Sequence, residues 1–241
     1  MRRVAIHQPN FIPWLGLFDR IARVDRFVFF DHVQALRGKS WLTRNRLLNN
    51  GEPRWMTVPV QRSGKGLQRV SEVLIVPGPA FPDKQLRTLD IEYGHHPFYA
   101  ETAALVHRIF TAGHESVAEL NTQFTRGTCA ALGISAEFVS STQLMADDEG
   151  LRTAAGNDLV LRTCVAAGGD AYLSGDGCMD FIDPDAFGAA GVSFAFQEFR
   201  HPVYDQWRRT DFVSHLSVID ALCNLGFAGV RDLLDVPASD P

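Results

Sequence analysis

Short apolar runs that end in polar clusters alternate along this chain with longer stretches of helical period. Val4-Ala5-Ile6 has the form of a brief buried strand, and it stops at His7. Pro9 and Pro13 keep the following loop out of a regular helix. From Trp14 onward Leu15, Phe18, Ile21 and Ala22 mark one helical face, with Arg20 and Arg23 offset from it. Residues 26–30 form a second strand, too short and too aromatic for a helix. Strand, loop, helix and strand begin an α/β unit, and a right-handed crossover leaves the two strands parallel.

The polar segment 34–53, with Trp41 and Arg44-Asn45-Arg46 inside it, is predicted to be a long loop with a task of its own. Residues 55–60 and 70–76 read as strands around the turn at 62–66, a hairpin-like insertion. Pro77, Pro79 and Pro82 precede three predicted helices at 84–93, 97–111 and 116–132, the last closed by Gly133. A strand at 136–140, an acidic stretch at 147–149 and a helix at 157–167 follow, and Gly168-Gly169 stops that helix. After a strand at 172–174, Asp183 caps a short helix at 184–190, a strand spans 192–199, and a last helix at 214–225 is closed by Gly226. The expected fold is one α/β domain over 1–241, an open, mostly parallel Rossmann-like sheet with helices on both faces. Within it lie the Arg-rich loop plus hairpin-like insertion at 35–80 and a helical insertion at 84–132.

Composition narrows the reading. The 241 residues carry 23 Lys+Arg against 28 Asp+Glu, a net charge of -5, so no general basic field is available for nucleic acid. Hydrophobic residues make up 46%, which suits a soluble globular chain, and no apolar run approaches the roughly 18 residues of a membrane span. The basic, apolar start is cut short by His7-Gln8-Pro9-Asn10, which favours a first strand over a signal peptide. None of the four cysteines forms a C-x-x-C pair, so a cytoplasmic, reduced protein without a zinc ribbon is expected.

In a parallel sheet, ligands gather beyond the carboxyl ends of strands. That rule selects His7-Gln8-Pro9-Asn10, Asp31-His32-Val33-Gln34, Ser140-Ser141-Thr142 and Ser174-Gly175-Asp176. His7 is the candidate acid/base or oxygen-polarising group, because imidazole titrates near neutrality. Asp31 is its candidate orienter, and the amides of Gln8, Asn10 and Gln34 suit the polar edge of a small ligand. Ser141, at a helix start, and the guanidinium groups of Arg44 and Arg46 are expected to face phosphate. His201 and Tyr204 follow the last strand and join the candidate set. No metal site is expected: His95 and His96 are adjacent and diverge, and the carboxylates of 170–185 lack calcium-loop spacing. No Walker, G-x-S-x-G, H-E-x-x-H or G-x-G-x-x-G pattern occurs.

As a set, His7-Gln8-Pro9-Asn10-Phe11-Ile12-Pro13-Trp14-Leu15-Gly16, Phe29-Phe30-Asp31-His32-Val33-Gln34, Trp41-Leu42-Thr43-Arg44-Asn45-Arg46, Tyr172-Leu173-Ser174-Gly175 and His201-Pro202-Val203-Tyr204 resemble the WbqC-like protein family. The resemblance implies a bacterial cytoplasmic protein associated with O-antigen or other surface-polysaccharide genes, and it implies no settled reaction. His32 stands where the family more often has a second Asp. A fainter likeness links the layout to HIGH-type nucleotidyltransferases, although Trp14-Leu15-Gly16-Leu17 replaces their histidine pair. The expected activity is transfer of an acyl or aminoacyl group to a nucleotide-linked sugar or small amine. Its rivals are nucleotidyl transfer on the degenerate site, and a non-catalytic binding protein of polysaccharide assembly with Trp14, Trp41 and Tyr204 on a partner surface. The expected ligand is an anionic small molecule, recognised beside the Arg-rich stretch 37–46. Cofactor and oligomeric state stay open.

Overall fold

The strand and helix patterns fold into the elements that follow in a computed structural model, which describes residues 1–36, 38–148 and 150–236. Arg37 of the Arg-rich stretch and Glu149 of the acidic one lie outside the described residues. In chain order the elements are β1 (Arg3–His7), α1 (Leu15–Ala22), β2 (Arg26–Phe29), β3 (Arg44–Asn49), β4 (Glu52–Thr57), α2 (Asp83–Tyr93), α3 (Tyr99–Phe110) and α4 (Val117–Leu132). Then come β5 (Glu137–Ser140), α5 (Ser141–Asp147), α6 (Gly150–Thr153), α7 (Gly156–Ala166), β6 (Ala171–Ser174), α8 (Pro184–Ala189), β7 (Ser193–Phe196) and α9 (Val218–Leu233). They form two compact units. One comprises Met1–Gln8, Gly16–His32 and Ser135–Arg200, and the other Pro9–Leu15, Val33–Ile134 and the chain from His201 on.

The first unit holds a five-stranded, all-parallel sheet in the order β5-β2-β1-β6-β7, with helices around it. β1 lies beside β2 with Val4 opposite Arg26 and His7 opposite Phe29. β6 flanks the other side of β1. The chain therefore winds outward from β1 through β2 to β5, then returns to the other side for β6 and β7. Val4, Ile6, Val28 and Tyr172 pack on one face with Val160 and Cys164 of α7 and Phe187 of α8. Alternation sends Ala5, Phe27 and Phe29, all buried, to the opposite face. Each large side chain buried in this way contributes about 1.5–3 kcal/mol.

The second unit is mainly helical. Ser116 accepts a hydrogen bond from Glu119 N at the start of α4, and Gly133, at φ 73°, closes that helix as expected. Two expectations are corrected. Residues 44–49 are not loop but strand β3, paired antiparallel with β4 through the two-residue turn Asn50-Gly51. Both turn residues have positive φ, 51° and 73°, the backbone an Asn-Gly hairpin adopts. Residues 70–76 hold one 3-10 turn at Val70–Glu72 and an isolated bridge between Val60 and Ile75, so the hairpin lies one segment earlier than predicted. Gly226, at φ 71° and ψ 175°, interrupts α9 with non-helical backbone and so ends a helical segment where expected. A Cβ there would overlap Phe98 and Glu101, and Glu101 accepts the hydrogen bond from Phe227 N at 3.0 Å.

Candidate functional site

The strand order marks one position in the parallel sheet. Winding reverses between β1 and β6, so the carboxyl ends of these two strands form the switch point, the position at which open α/β sheets bind ligands. His7 ends β1 and Ser174 ends β6. His7, Gln8 and Gly175 are partly exposed, and Asp176 and Gly177 are exposed.

His7 Nδ1 lies 2.7 Å from the Gln8 carbonyl oxygen. A carbonyl only accepts, so Nδ1 carries the proton and Nε2 carries the lone pair. Burial, then the charge of Arg20, push the imidazole down to about 3, against a smaller upward pull from the Gln8 carbonyl. The ring is neutral at physiological pH.

Arg20 is the residue that sequence reasoning missed. Offset from the apolar stripe, it reads as a solvated position, yet it is 3% exposed. The available signal was Leu17, off the same stripe: Leu15, Leu17, Phe18 and Ile21 are each at most 1% exposed, so α1 is buried on more than one side. Neighbouring Asp19 is already engaged. It accepts from Arg23 at 2.7 Å and from Gln197 Nε2 at 2.6 Å, and Gln197 also donates to the Gly16 carbonyl at 2.7 Å. Among the described residues no carboxylate lies within the 4.0 Å of an ion pair to Arg20, and its buried Nε has no hydrogen-bond partner. Desolvation lowers its pKa, against the fields of Tyr172, Cys178, Asp176 and Asp19. The Ser174 hydroxyl, fully buried, interacts with the Tyr172 phenol and the Cys178 thiol, so a polar group floors the same region. Gly175 leaves room for the guanidinium: a Cβ there would overlap Arg20 Nη1 and displace it.

Asp31 has a different role from the one expected. Its Oδ1 accepts from Ser141 Oγ at 3.0 Å and from both the amide and the hydroxyl of Thr142 at 2.9 Å. The carboxylate is captured by donors at the start of α5, while His7 Nδ1 is satisfied by Gln8, so the expected orientation of His7 by Asp31 does not form. Since the Ser141 proton goes to Asp31, the same oxygen accepts from His32 Nδ1 at 2.7 Å. Ser141 is thereby committed within the protein rather than turned to a phosphate.

In the second unit Trp14, Trp41 and Trp55 form a chain of rings with centroids 6.3 and 5.3 Å apart, and Arg44 lies 3.9 Å over Trp55. Arg46 donates to the His215 carbonyl at 3.3 Å. Asn45 is fully buried and ties β3 to the Ile12 carbonyl at 2.8 Å, a structural use. Asn10 is also buried, whereas Gln34 is exposed and bridges to Arg69 through backbone. His201 donates from Nδ1 to the Pro202 carbonyl, its ring centroid 5.0 Å from that of His215. Tyr204 is buried with its hydroxyl on Asp220 at 2.7 Å, which takes it out of the ligand set. A cavity of 380 Å³ in this unit is lined by Ser40, Thr43, Arg62, Gln68 and apolar neighbours, with no histidine or carboxylate among the described residues that line it. Among the described residues no cluster of His, Cys, Asp or Glu has the makings of a metal site, and no helix is long and apolar enough to cross a membrane.

Comparison with known proteins places the chain in a family. The model of the WbqC-like protein family matches residues 8–232. The chain belongs to the WbqC-like family. This WbqC-like chain is also 30% identical over 230 residues to the uncharacterized protein Rv1507c of Mycobacterium tuberculosis, covering 94% of the chain and 95% of that relative. No solved structure matches it. The family match begins at Gln8, beside His7, and spans Arg20, Ser174 and Gly175, so the switch-point residues fall almost wholly within it.

Proposed function

We propose that this WbqC-like protein is a transferase of bacterial surface-polysaccharide or related biosynthesis, acting in the cytoplasm on a nucleotide-linked sugar or small amine. The observation that carries the reading is His7, a neutral imidazole of fixed tautomer at the switch point, with its lone pair on Nε2. Such a group accepts a hydrogen bond from an amine or hydroxyl and takes its proton as the nucleophile attacks. In acyl or aminoacyl transfer, the nucleophilic nitrogen or oxygen bonds to the carbonyl carbon of an activated ester or thioester and the bond to the leaving group breaks. The proton passes through His7 to that leaving group. Gln8, partly exposed beyond the end of β1, is the matching polar position for the substrate, and the buried Ser174 at the end of β6 supports it from below.

Native mass spectrometry of the purified protein, looking for a co-purified nucleotide or sugar, identifies the substrate class. With that substrate, His7→Gln is expected to abolish turnover while the Tm stays close to wild type. Full turnover in the variant would overturn the assignment, and a large fall in Tm would make His7 a structural residue.

A further inference from the structure

A buried cation without a counter-ion is an expensive feature, and in this fold it stands beside the sheet's ligand position. Taking a guanidinium out of water costs several kcal/mol unless an anion or a full set of acceptors compensates. Arg20 has neither: no carboxylate within ion-pair distance among the described residues, and no acceptor for Nε. Two carboxylates sit near enough to act on it electrostatically and are not in contact. Asp19 is held by Arg23 and Gln197, and Asp176 is exposed at the rim, where it accepts from Glu198 N at 3.1 Å. Gly175 lets the guanidinium press against the first residue after β6, so its terminal nitrogens reach the carboxyl end of the sheet. Apart from those two carboxylates, the groups that interact with it are neutral: the Tyr172 phenol, the Cys178 thiol with the Ser174 hydroxyl bonded to both, and the uncharged His7.

We infer that Arg20 is the anchor of a phosphoryl-binding subsite at the β1/β6 switch point. The planar fork of its guanidinium matches two phosphate oxygens, and a bound dianion supplies the missing counter-charge. This inference deepens the transferase reading, since it names the group by which the substrate is held. It also couples binding to chemistry. A phosphate neutralises the field of Arg20 at His7, so the imidazole becomes a stronger base when the substrate is in place. An empty site keeps the base weak, and a loaded one activates it.

The test needs no turnover. Inorganic phosphate is titrated into the full-length protein while the Tm and the 13C-resolved His7 resonance are followed, in wild type and in Arg20→Met. Wild type is expected to gain several degrees at tens of millimolar phosphate, and the His7 pKa is expected to rise by a unit or more. Arg20→Met is expected to lose at least ten-fold in phosphate affinity while its Tm without phosphate equals or exceeds that of wild type. A purely structural arginine would not behave that way. Where Arg20→Met fails to fold, Gly175→Ala serves as the second variant: its methyl group displaces the guanidinium, and phosphate binding is expected to fall with the charge retained. Adenosine diphosphate and glucose 1-phosphate form two further arms, and the one with the larger Arg20-dependent shift names the carrier as nucleotide or simple phosphomonoester. Absence of any shift in wild type at 50 mM of every probe, on the order of the weakest affinity that about 2 kcal/mol of binding supplies, overturns the inference. So does equal binding by both variants. The transferase reading fails separately: phosphate bound through Arg20 together with full turnover in His7→Gln leaves the subsite standing and removes the catalytic role of His7.

Discussion

Arg20 in the parallel-sheet unit and Asp220 in the helical unit are both buried charged side chains, and the protein treats them in opposite ways. Asp220, fully buried, accepts from Tyr93 at 2.9 Å, Tyr204 at 2.7 Å and Gln206 at 2.9 Å. The donors come from two places: Tyr93 ends α2, Tyr204 and Gln206 lie in the segment before α9, and the acceptor Asp220 is in the first turn of α9. The Tyr93 hydroxyl also accepts from Leu48 N at 2.9 Å, which ties in β3. Burial raises the carboxyl pKa of Asp220, and the three donors pull it back. Arg20 has no such set. A charge whose lone pairs are filled by its own chain is structural; one left open beside a ligand position is held for something that arrives from outside.

The largest expected effect tests the satisfied charge. Asp220→Ala removes the common acceptor of two tyrosines and a glutamine and leaves their donors buried. A loss of about 3–5 kcal/mol in urea unfolding is expected, with the slope unchanged. If the variant is as stable as wild type, the contrast with Arg20 collapses, because the filled network then contributes no more than the empty one.

Acid titration gives a smaller effect on the other side of the comparison. The His7 pKa falls from 6.5 to about 3 on folding, so the folded state binds fewer protons than the unfolded chain between those values. The stability from the neutral imidazole is fully present above pH 6.5 and declines as the pH drops toward 3. From pH 7 to 5 the loss expected from this one group is about 1–2 kcal/mol, discounted for its partial exposure. In His7→Gln that part of the decline should vanish. A pH profile that matches wild type would show that His7 keeps its solution pKa and that the Arg20 field does not reach it.

Much of the sheet is legible in the residues because its strands are short, apolar and bounded by His7, Ser140 and Ser174. The helix at 116–132 is equally plain, since Ser116 caps it and Gly133 closes it. The hairpin is misread because Arg44, Asn45 and Arg46 look like loop composition. The strand depends instead on Asn50-Gly51 and on burial that composition does not reveal: Asn45 at 0% and Leu47 at 4% exposure. His7 and Ser174 are legible as the residues at the switch point because they end strands, and strand ends are visible in a sequence. Arg20 is missed because it sits mid-helix, where the polar pattern points to solvent, and only the strand order makes its burial meaningful. Tyr204 and Asp31 are misassigned because a polar residue near a sheet end is taken to serve a ligand, while its partner, Asp220 or Thr142, is distant in sequence.

Asp31 provides the smallest effect and an intermediate case between the two charges. Its carboxylate is filled by its own chain, as Asp220's is, but it is partly exposed, and its partners are an amide and two hydroxyls at the start of α5. Water can take the carboxylate's place as acceptor for those donors, so the penalty is that of a lost helix cap and not of a stranded buried network. Asp31→Ala is accordingly expected to cost about 1 kcal/mol by urea unfolding. Phosphate affinity should be unchanged, because the proposed subsite lies at β1 and β6 and not at β2 and β5. If Asp31→Ala instead abolishes phosphate binding at unchanged stability, the anion site belongs to the β2/β5 end of the sheet, and Arg20 loses its distinction from the charges that serve only the fold.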